Sequence, residues 1–248
     1  MRQASTAPQS AAEALSTADL LLSSGFLAFA RHLGVLRAIE AQGVAVDAVV
    51  GTSSGALVGA LWAAGHDADS LIEDLRGLRP IQLMRPHWRP WRGLFALHPL
   101  LAFLRERLPA TFAELPRPLA VGVASRGGGH RLLSDGPLPE AVVASCSMPY
   151  VFEPTWIAGE RFVDGGAADR LAIGPLRRWR DPARIIAHRV RRTAGKDLQD
   201  DLGGALLIET SASGASFFSM GDFVGQVREA EATARAALAS WPVPTAAP

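Results

Sequence analysis

The chain is poor in lysine, has one cysteine and lacks any long apolar run. Of its 25 basic residues only Lys196 is a lysine. The lone Cys146 cannot form an intrachain disulfide and excludes a cysteine-rich metal site. It lies in an apolar stretch, where a free thiol is expected to act as a small buried filler. No uninterrupted apolar stretch approaches the ~20 residues of a spanning helix. Residues 1–18 lack an apolar run after their charged start, which predicts no secretory signal and a cytoplasmic location. A global basic excess is missing too: 25 basic against 24 acidic side chains give +1, no ground for expecting a nucleic-acid partner. The six histidines are scattered, without HExxH or clustered carboxylates, so neither a metal site nor a cofactor is expected. Residues 127–129 are glycines without the Lys-Ser/Thr that would make a P-loop.

What is present is a chain of 248 residues, 48% hydrophobic, long enough to bury the core of one domain. The charges are unevenly placed. Residues 76–107 hold seven arginines against Glu106, and residues 177–192 hold seven against Asp181. Two +6 segments therefore ride on a body of −11. Residues 1–18 read as a loose arm, 242–248 as a frayed tail, and 19–241 as one domain. Strand-like runs at 19–24 and 46–50 alternate with helical patterns at 31–42 and 55–65, each helix stopped by glycine. That order predicts an α/β fold with a mainly parallel central sheet flanked by helices. Strand-like patterns resume at 118–125, 131–136, 161–166 and 183–190, and a last helix is expected over 221–241. Between them, residues 77–118 are rich in Pro, Trp and Arg, with a helical piece at 100–108, and read as an inserted cap.

The run VDAVV leads directly into Gly51-Thr52-Ser53-Ser54-Gly55 and then a helix. Strand, tight turn, helix is the setting in which GxSxG makes a nucleophile elbow. Glycines remove Cβ atoms from a sharp turn, and the helix start directs unpaired N–H groups toward charge developing at the serine. Only Ser53 has glycine two residues away on both sides. The bland alternative is a Gly/Ser turn that packs the helix against the sheet.

A nucleophilic serine needs a base. Asp164 ends the apolar strand RFVDGG, at the carboxyl end where α/β sheets keep their sites. His188 is the only histidine beyond Asp164 and would complete a Ser, Asp, His order, but it lies within an apolar run and fits a structural role better. His130 to Asp135 have HxxxxD spacing, as in glycerolipid acyltransferases, without a companion motif. Asp47 and the acidic residues from Asp67 to Asp74 read as solvated charges.

DLLLSSG, HLGVLRAIEAQGVAVDAVVGTSSGALVGALWAAG and LPEAVVASCSMPYVFEPTWIAGERFVDGG, in that order, resemble the patatin-like phospholipases, over about residues 19–75 and 117–175. The resemblance implies a patatin-like three-layer architecture and a Ser-Asp dyad, with Ser53 as nucleophile and Asp164 as base. It implies a serine-dependent lipid acyl hydrolase of phospholipase, lysophospholipase or esterase type, whose partner is a lipid or acyl-ester substrate. One stretch departs from the family. Where a GGGxRG oxyanion loop is expected, the chain has Ser24-Gly25-Phe26-Leu27-Ala28-Phe29, keeping Gly25 and placing Ala28 at the arginine position. Backbone amides do not depend on side chains, so Gly25 and Phe26 remain the expected oxyanion donors. Phe26 and Phe29 line an acyl pocket or are core aromatics. Two alternatives stay open: a non-catalytic lipid-binding or interaction protein on the same fold, and an acyltransferase using the same dyad.

In the first basic segment Arg85, Trp88, Arg89, Trp91 and Arg92 combine cations for anionic head groups with indoles for the polar/apolar boundary. Peripheral contact with an anionic membrane surface is expected there; otherwise the tryptophans fold back on the body. The second segment, with Trp179 its one aromatic, reads as an exposed charged face.

Overall fold

A computed structural model describes residues 17–125, 129–192 and 201–241. Most of the expected arm (1–18), the glycines at 127 and 128, and the tail (242–248) lie outside the described residues. The main sheet has eight strands: β1 (Thr17–Leu22), β2 (Ala45–Thr52), β5 (Leu119–Ser125), β6 (His130–Leu133), β7 (Thr155–Ile157), β8 (Glu160–Asp164), β9 (Ile185–Val190) and β10 (Leu206–Thr210). Its order is β10-β9-β1-β2-β5-β8-β7, with β6 also on β5. The pairings from β10 through β5 are parallel, and those of β6, β7 and β8 are antiparallel. The expected α/β fold with a mostly parallel sheet flanked by helices is what the chain adopts.

The parallel strands are apolar on both faces because helices cover both. Leu20, Leu22, Val49, Leu119, Val121 and Val123 join the larger core, while the intervening Leu21, Val50 and Ala120 face a smaller one. The larger core is closed by α1 (Phe29–Ala41), α2 (Ser54–Ala63), α3 (Ala68–Arg76), α5 (Leu138–Cys146) and α7 (Phe223–Ala239). The smaller lies under α6 (Ile173–Trp179). Gly34 lets α7 cross α1 closely, since a Cβ there would sit 2.3 Å from the Val227 carbonyl oxygen. Asp67, expected to be merely solvated, caps α3 by accepting the Ser70 N–H at 2.9 Å.

Residues 77–118 contribute nothing to the main sheet. They form short 3-10 turns, the hairpin of β3 (Arg85–Pro86) and β4 (Phe95–Ala96), and α4 (His98–Arg105). Leu83, Met84, Leu97, Leu100, Leu104 and Phe112 anchor this segment in the larger core. Among the described residues no helix is long and apolar enough to cross a membrane.

Candidate active site

Two strand ends meet in the middle of the sheet. On β5, Val121 pairs with Gly51 of β2 on one edge and Leu133 of β6 on the other, while Val123 pairs with Asp164 of β8 and Arg131 of β6. Since β6 occupies the far edge throughout, β2 and β8 share the near one and run toward each other. β2 ends at Thr52 opposite Gly122, and β8 ends at Asp164 opposite Val123. Ser53 and Asp164 are thus brought together by the register of a third strand.

The turn after Thr52 is sharp. Ser53 has φ 54° and ψ −119°, a conformation that L residues rarely adopt. The flanking glycines are required by contact: a Cβ on Gly51 would lie 2.5 Å from the Gly55 carbonyl oxygen, and one on Gly55 would lie 2.2 Å from that of Leu22. α2 starts at the next residue, so its first N–H groups face the turn.

The Asp164 carboxylate is buried, and burial raises its pKa to about 6. Three contacts oppose that rise: the Ser53 hydroxyl acting as donor, the Gly166 N–H at 2.7 Å, and the positive charge of Arg170. At neutral pH the group is an anion facing the serine.

The segment Ala144-Ser145-Cys146-Ser147-Met148-Pro149, noted in the sequence only for its resemblance, clasps both residues. Ser145 Oγ accepts the Ser53 N–H at 2.8 Å and donates to the Gly122 carbonyl at 2.6 Å. The Ser147 carbonyl accepts the Asp164 N–H at 3.0 Å. Cys146 packs half-buried against the larger core, as a filler would, and it also lines the cavity: its thiol contacts the Ser53 carbonyl oxygen at 3.4 Å, and burial holds it protonated.

Ser53 and Asp164 open onto a cavity of ≈ 480 Å³. Ser24, Gly25, Gly166 and Arg170 surround them, and Phe26, Phe29, Leu57, Leu97, Phe152 and Phe217 supply apolar wall. Phe26 meets Phe217 edge-on with centroids 5.3 Å apart, so Phe26 is a pocket residue; Phe29 both lines the cavity and packs in the core. Among the described residues the Gly25 and Phe26 N–H groups have no hydrogen-bond acceptor within the chain.

His188 does not reach this site. Its Nδ1 lies 2.9 Å from Nδ1 of His32, its Nε2 2.9 Å from Thr210 Oγ1, and His32 Nε2 lies 3.2 Å from Ser54 Oγ. Burial lowers both pKa values, that of His32 to about 3. The pair is a neutral buried link beneath the elbow. His188→Ala should therefore destabilise the fold by about 2–4 kcal/mol, by orphaning buried polar atoms and opening a cavity. Per folded molecule, activity should hold within about threefold; a histidine base would instead make the variant inactive. His130 is likewise away from the cavity, beside Thr52 and the bare Cα of Gly122. Among the described residues no group of three or more His, Cys, Asp or Glu could hold a metal.

Trp88 and Trp91 do not fold back; they are 74% and 78% exposed. Arg85 and Arg92 are exposed beside them, and Arg89 stacks on Trp88 with its guanidinium 3.9 Å from the ring centre. Beyond these tryptophans the described residues expose five more large apolar side chains, Leu94, Tyr150, Trp156, Phe218 and Val224, of which sequence reasoning missed three that matter here, Leu94, Tyr150 and Phe218. Each adjoins the cavity region: Tyr150 follows lining Pro149, Phe218 follows lining Phe217, and Leu94 precedes Phe95, which packs on Phe152 and Phe217. The second arginine segment is only in part an exposed face. Arg177 braces the Leu202 and Gly203 carbonyls, Arg180 pairs with buried Asp19, and Arg189 and Arg191 share Glu209.

The family model described as patatin-like phospholipase matches residues 20–177. An uncharacterized NTE family protein of Mycobacterium tuberculosis is 31% identical over 165 residues, covering 63% of this chain and 44% of that protein. The neuropathy target esterase sws of Drosophila melanogaster is 40% identical over 57 residues, 23% of this chain and 4% of that one. The chain thus spans less than half the length of these curated relatives. Among solved structures, VipD from Legionella pneumophila superposes with a TM-score of 0.59 at 16% identity, covering 91% of this chain and 67% of that one. ExoU of Pseudomonas aeruginosa, in complex with SpcU, gives 0.54 at 14% identity, covering 90% and 52%. With more than half of its length matched by the family model, and with the fold its solved neighbours share, the chain belongs to the patatin-like phospholipase family.

Proposed function

We propose that this chain is a serine-dependent acyl hydrolase acting on lipid esters, of phospholipase, lysophospholipase or esterase type. What supports this most is the meeting of a strained Ser53 with a buried, anionic Asp164 at the floor of a largely apolar cavity. Asp164 takes the Ser53 proton as Oγ attacks the ester carbonyl, and the Gly25 and Phe26 N–H groups receive the oxyanion. Collapse expels the alcohol, which takes the proton from Asp164. A water molecule, deprotonated by the same carboxylate, then attacks the acyl-enzyme, and the Ser53 oxygen leaves with the proton returned from Asp164 as the fatty acid is released. Transfer to an alcohol or lysolipid would use the same dyad, and product analysis with added acceptor separates the two outcomes. Fatty-acid release from a panel of phospholipids, lysophospholipids and simple esters tests the reading; release from none of them would overturn it.

Residues 77–118 act as a cap over the cavity, and their exposed Arg85, Trp88, Trp91 and Arg92, with half-buried Arg89 stacked on Trp88, meet an anionic lipid surface. Leu94, Tyr150 and Phe218 extend that apolar rim. Burying an aromatic side chain contributes roughly 1.5–3 kcal/mol. A Trp88→Ala/Trp91→Ala double variant should therefore release fatty acid from anionic vesicles roughly tenfold or more slowly, while hydrolysing a soluble short-chain ester within about twofold of the parent. High salt should also weaken vesicle hydrolysis. Equal losses on both substrates would contradict this role.

A further inference from the structure

The loop between β1 and α1 carries Ser24-Gly25-Phe26-Leu27-Ala28-Phe29 where a GGGxRG pattern was expected, yet it is firmly held by side chains from other segments. Arg170, six residues after Asp164, donates from Nη2 to the Ser24 carbonyl at 2.9 Å and from Nε to Ser24 Oγ at 3.3 Å. Its own carbonyl accepts the Ser24 N–H at 2.9 Å. Nη2 also donates to the Val190 carbonyl at 2.6 Å, anchoring the guanidinium to β9. Two residues along the loop, the Phe26 carbonyl accepts the Ser213 hydroxyl. Gly25 fits beneath this clamp because a Cβ there would lie 2.8 Å from that of Ala28 and 3.1 Å from that of Val190.

A trans peptide directs its C=O and N–H to opposite sides. Tying the Ser24 carbonyl to Arg170 therefore turns the Gly25 N–H away from Arg170's hydrogen bonds, and Gly25 borders the cavity with Ser53. We propose that Arg170 is a positioning residue for oxyanion stabilisation, fixing a loop that has no arginine of its own, with Ser213 as the second tether. This rests on the Ser53–Asp164 reading. Arg170 also adds positive charge beside the Asp164 carboxylate.

The test is steady-state hydrolysis of a soluble short-chain ester by Arg170→Ala, Arg170→Lys and Ser213→Ala, with folded fraction and thermal midpoint measured in parallel. Loss of one oxyanion donor lowers kcat roughly 100- to 1000-fold. Arg170→Ala should lose about 100-fold in kcat with KM within about threefold, and guanidinium ion in the buffer should restore part of the loss. Arg170→Lys should fall between the two, and Ser213→Ala should lose about tenfold, so the proposal stays testable if Arg170→Ala does not fold. Unchanged kcat, a loss confined to KM, or a loss that only tracks the folded fraction would overturn it. If instead the parent protein hydrolyses nothing, the dyad reading fails rather than the clamp; a parent that is active alongside an equally active, folded Arg170→Ala rejects the clamp alone.

Discussion

Replacing Ser53 with alanine is expected to abolish ester hydrolysis, a loss on the order of 10⁴-fold or more, because the attacking oxygen is gone and no neighbour replaces it. The adjacent Ser54 hydroxyl is turned inward to His32, and the Cys146 thiol is held protonated by burial, so neither takes over. The fold should survive. Ser53 is half-buried at the mouth of a turn whose shape is imposed by Gly51, Gly55 and the clasp from Ser145. Its backbone strain gives a companion result. Holding a non-glycine residue at φ 54° and ψ −119° costs about 1–3 kcal/mol, which glycine relieves apart from its larger chain entropy. Ser53→Gly should therefore be equally inactive, and its thermal midpoint should be at or above that of the parent. A folded, fully active Ser53→Ala would remove the nucleophile from the account.

Asp164→Asn is expected to match that loss in activity while making the folded chain no less stable. An amide cannot accept the Ser53 proton, so hydrolysis should drop by several orders of magnitude. Stability moves the other way, since the buried carboxyl titrates at about 6 against the ordinary 3.8. A raised pKa means that the folded state holds the proton more tightly than the unfolded one. Its ionisation therefore costs nothing below about 3.8, costs more as pH rises toward 6, and reaches about 3 kcal/mol above that. Asparagine removes this cost at neutral pH, offset by whatever Gly166 and Arg170 lose as partners. The same titration sets the acid limb of activity. In the parent, kcat/KM should fall as pH drops through about 6, since the protonated carboxyl is no base. The two buried histidines act oppositely on stability: kept neutral in the fold, they destabilise it as pH falls below 6.5. Acid unfolding of the parent thus reflects His32 and His188 more than Asp164. A melting temperature for Asp164→Asn far below the parent's at pH 7 would contradict this electrostatic account.

What could be read from the sequence was whatever a local pattern encodes. The glycines at 51 and 55 mark a turn because the backbone of the next element passes within contact of where a Cβ would be. The DGG after an apolar run marks a strand end in the same way. α3 also carried a legible signal, an N-cap at Asp67 with Leu71, Ile72 and Leu75 on one face, which the density of carboxylates obscured. α5 was hidden by prolines at its start and a run of small residues, and β10 and α6 by their shortness. Nothing local foretold contacts between distant segments. Arg170 reaches Ser24 across 146 positions, His188 reaches His32 across 156, and Ser145 reaches Ser53 across 92. Such roles depend on the register of β2 and β8 along β5, which is a property of the assembled sheet. The apolar rim shows the same division. Trp88 and Trp91 stood out by composition, whereas Leu94, Tyr150 and Phe218 join them only because the hairpin, the segment after α5 and the loop before α7 converge.

The central claim is that Ser53 is a nucleophile activated by Asp164, and covalent labelling tests it most directly. The intact chain is treated with a fluorophosphonate at neutral pH, and the modified peptide is located by mass spectrometry. The account predicts one adduct, on Ser53, formed in the parent, absent from Ser53→Ala and strongly slowed in Asp164→Asn and at pH well below 6. A folded protein whose Ser53 remains unmodified, or one labelled equally fast when Asp164 is asparagine, would contradict it and favour a lipid-binding protein on this fold.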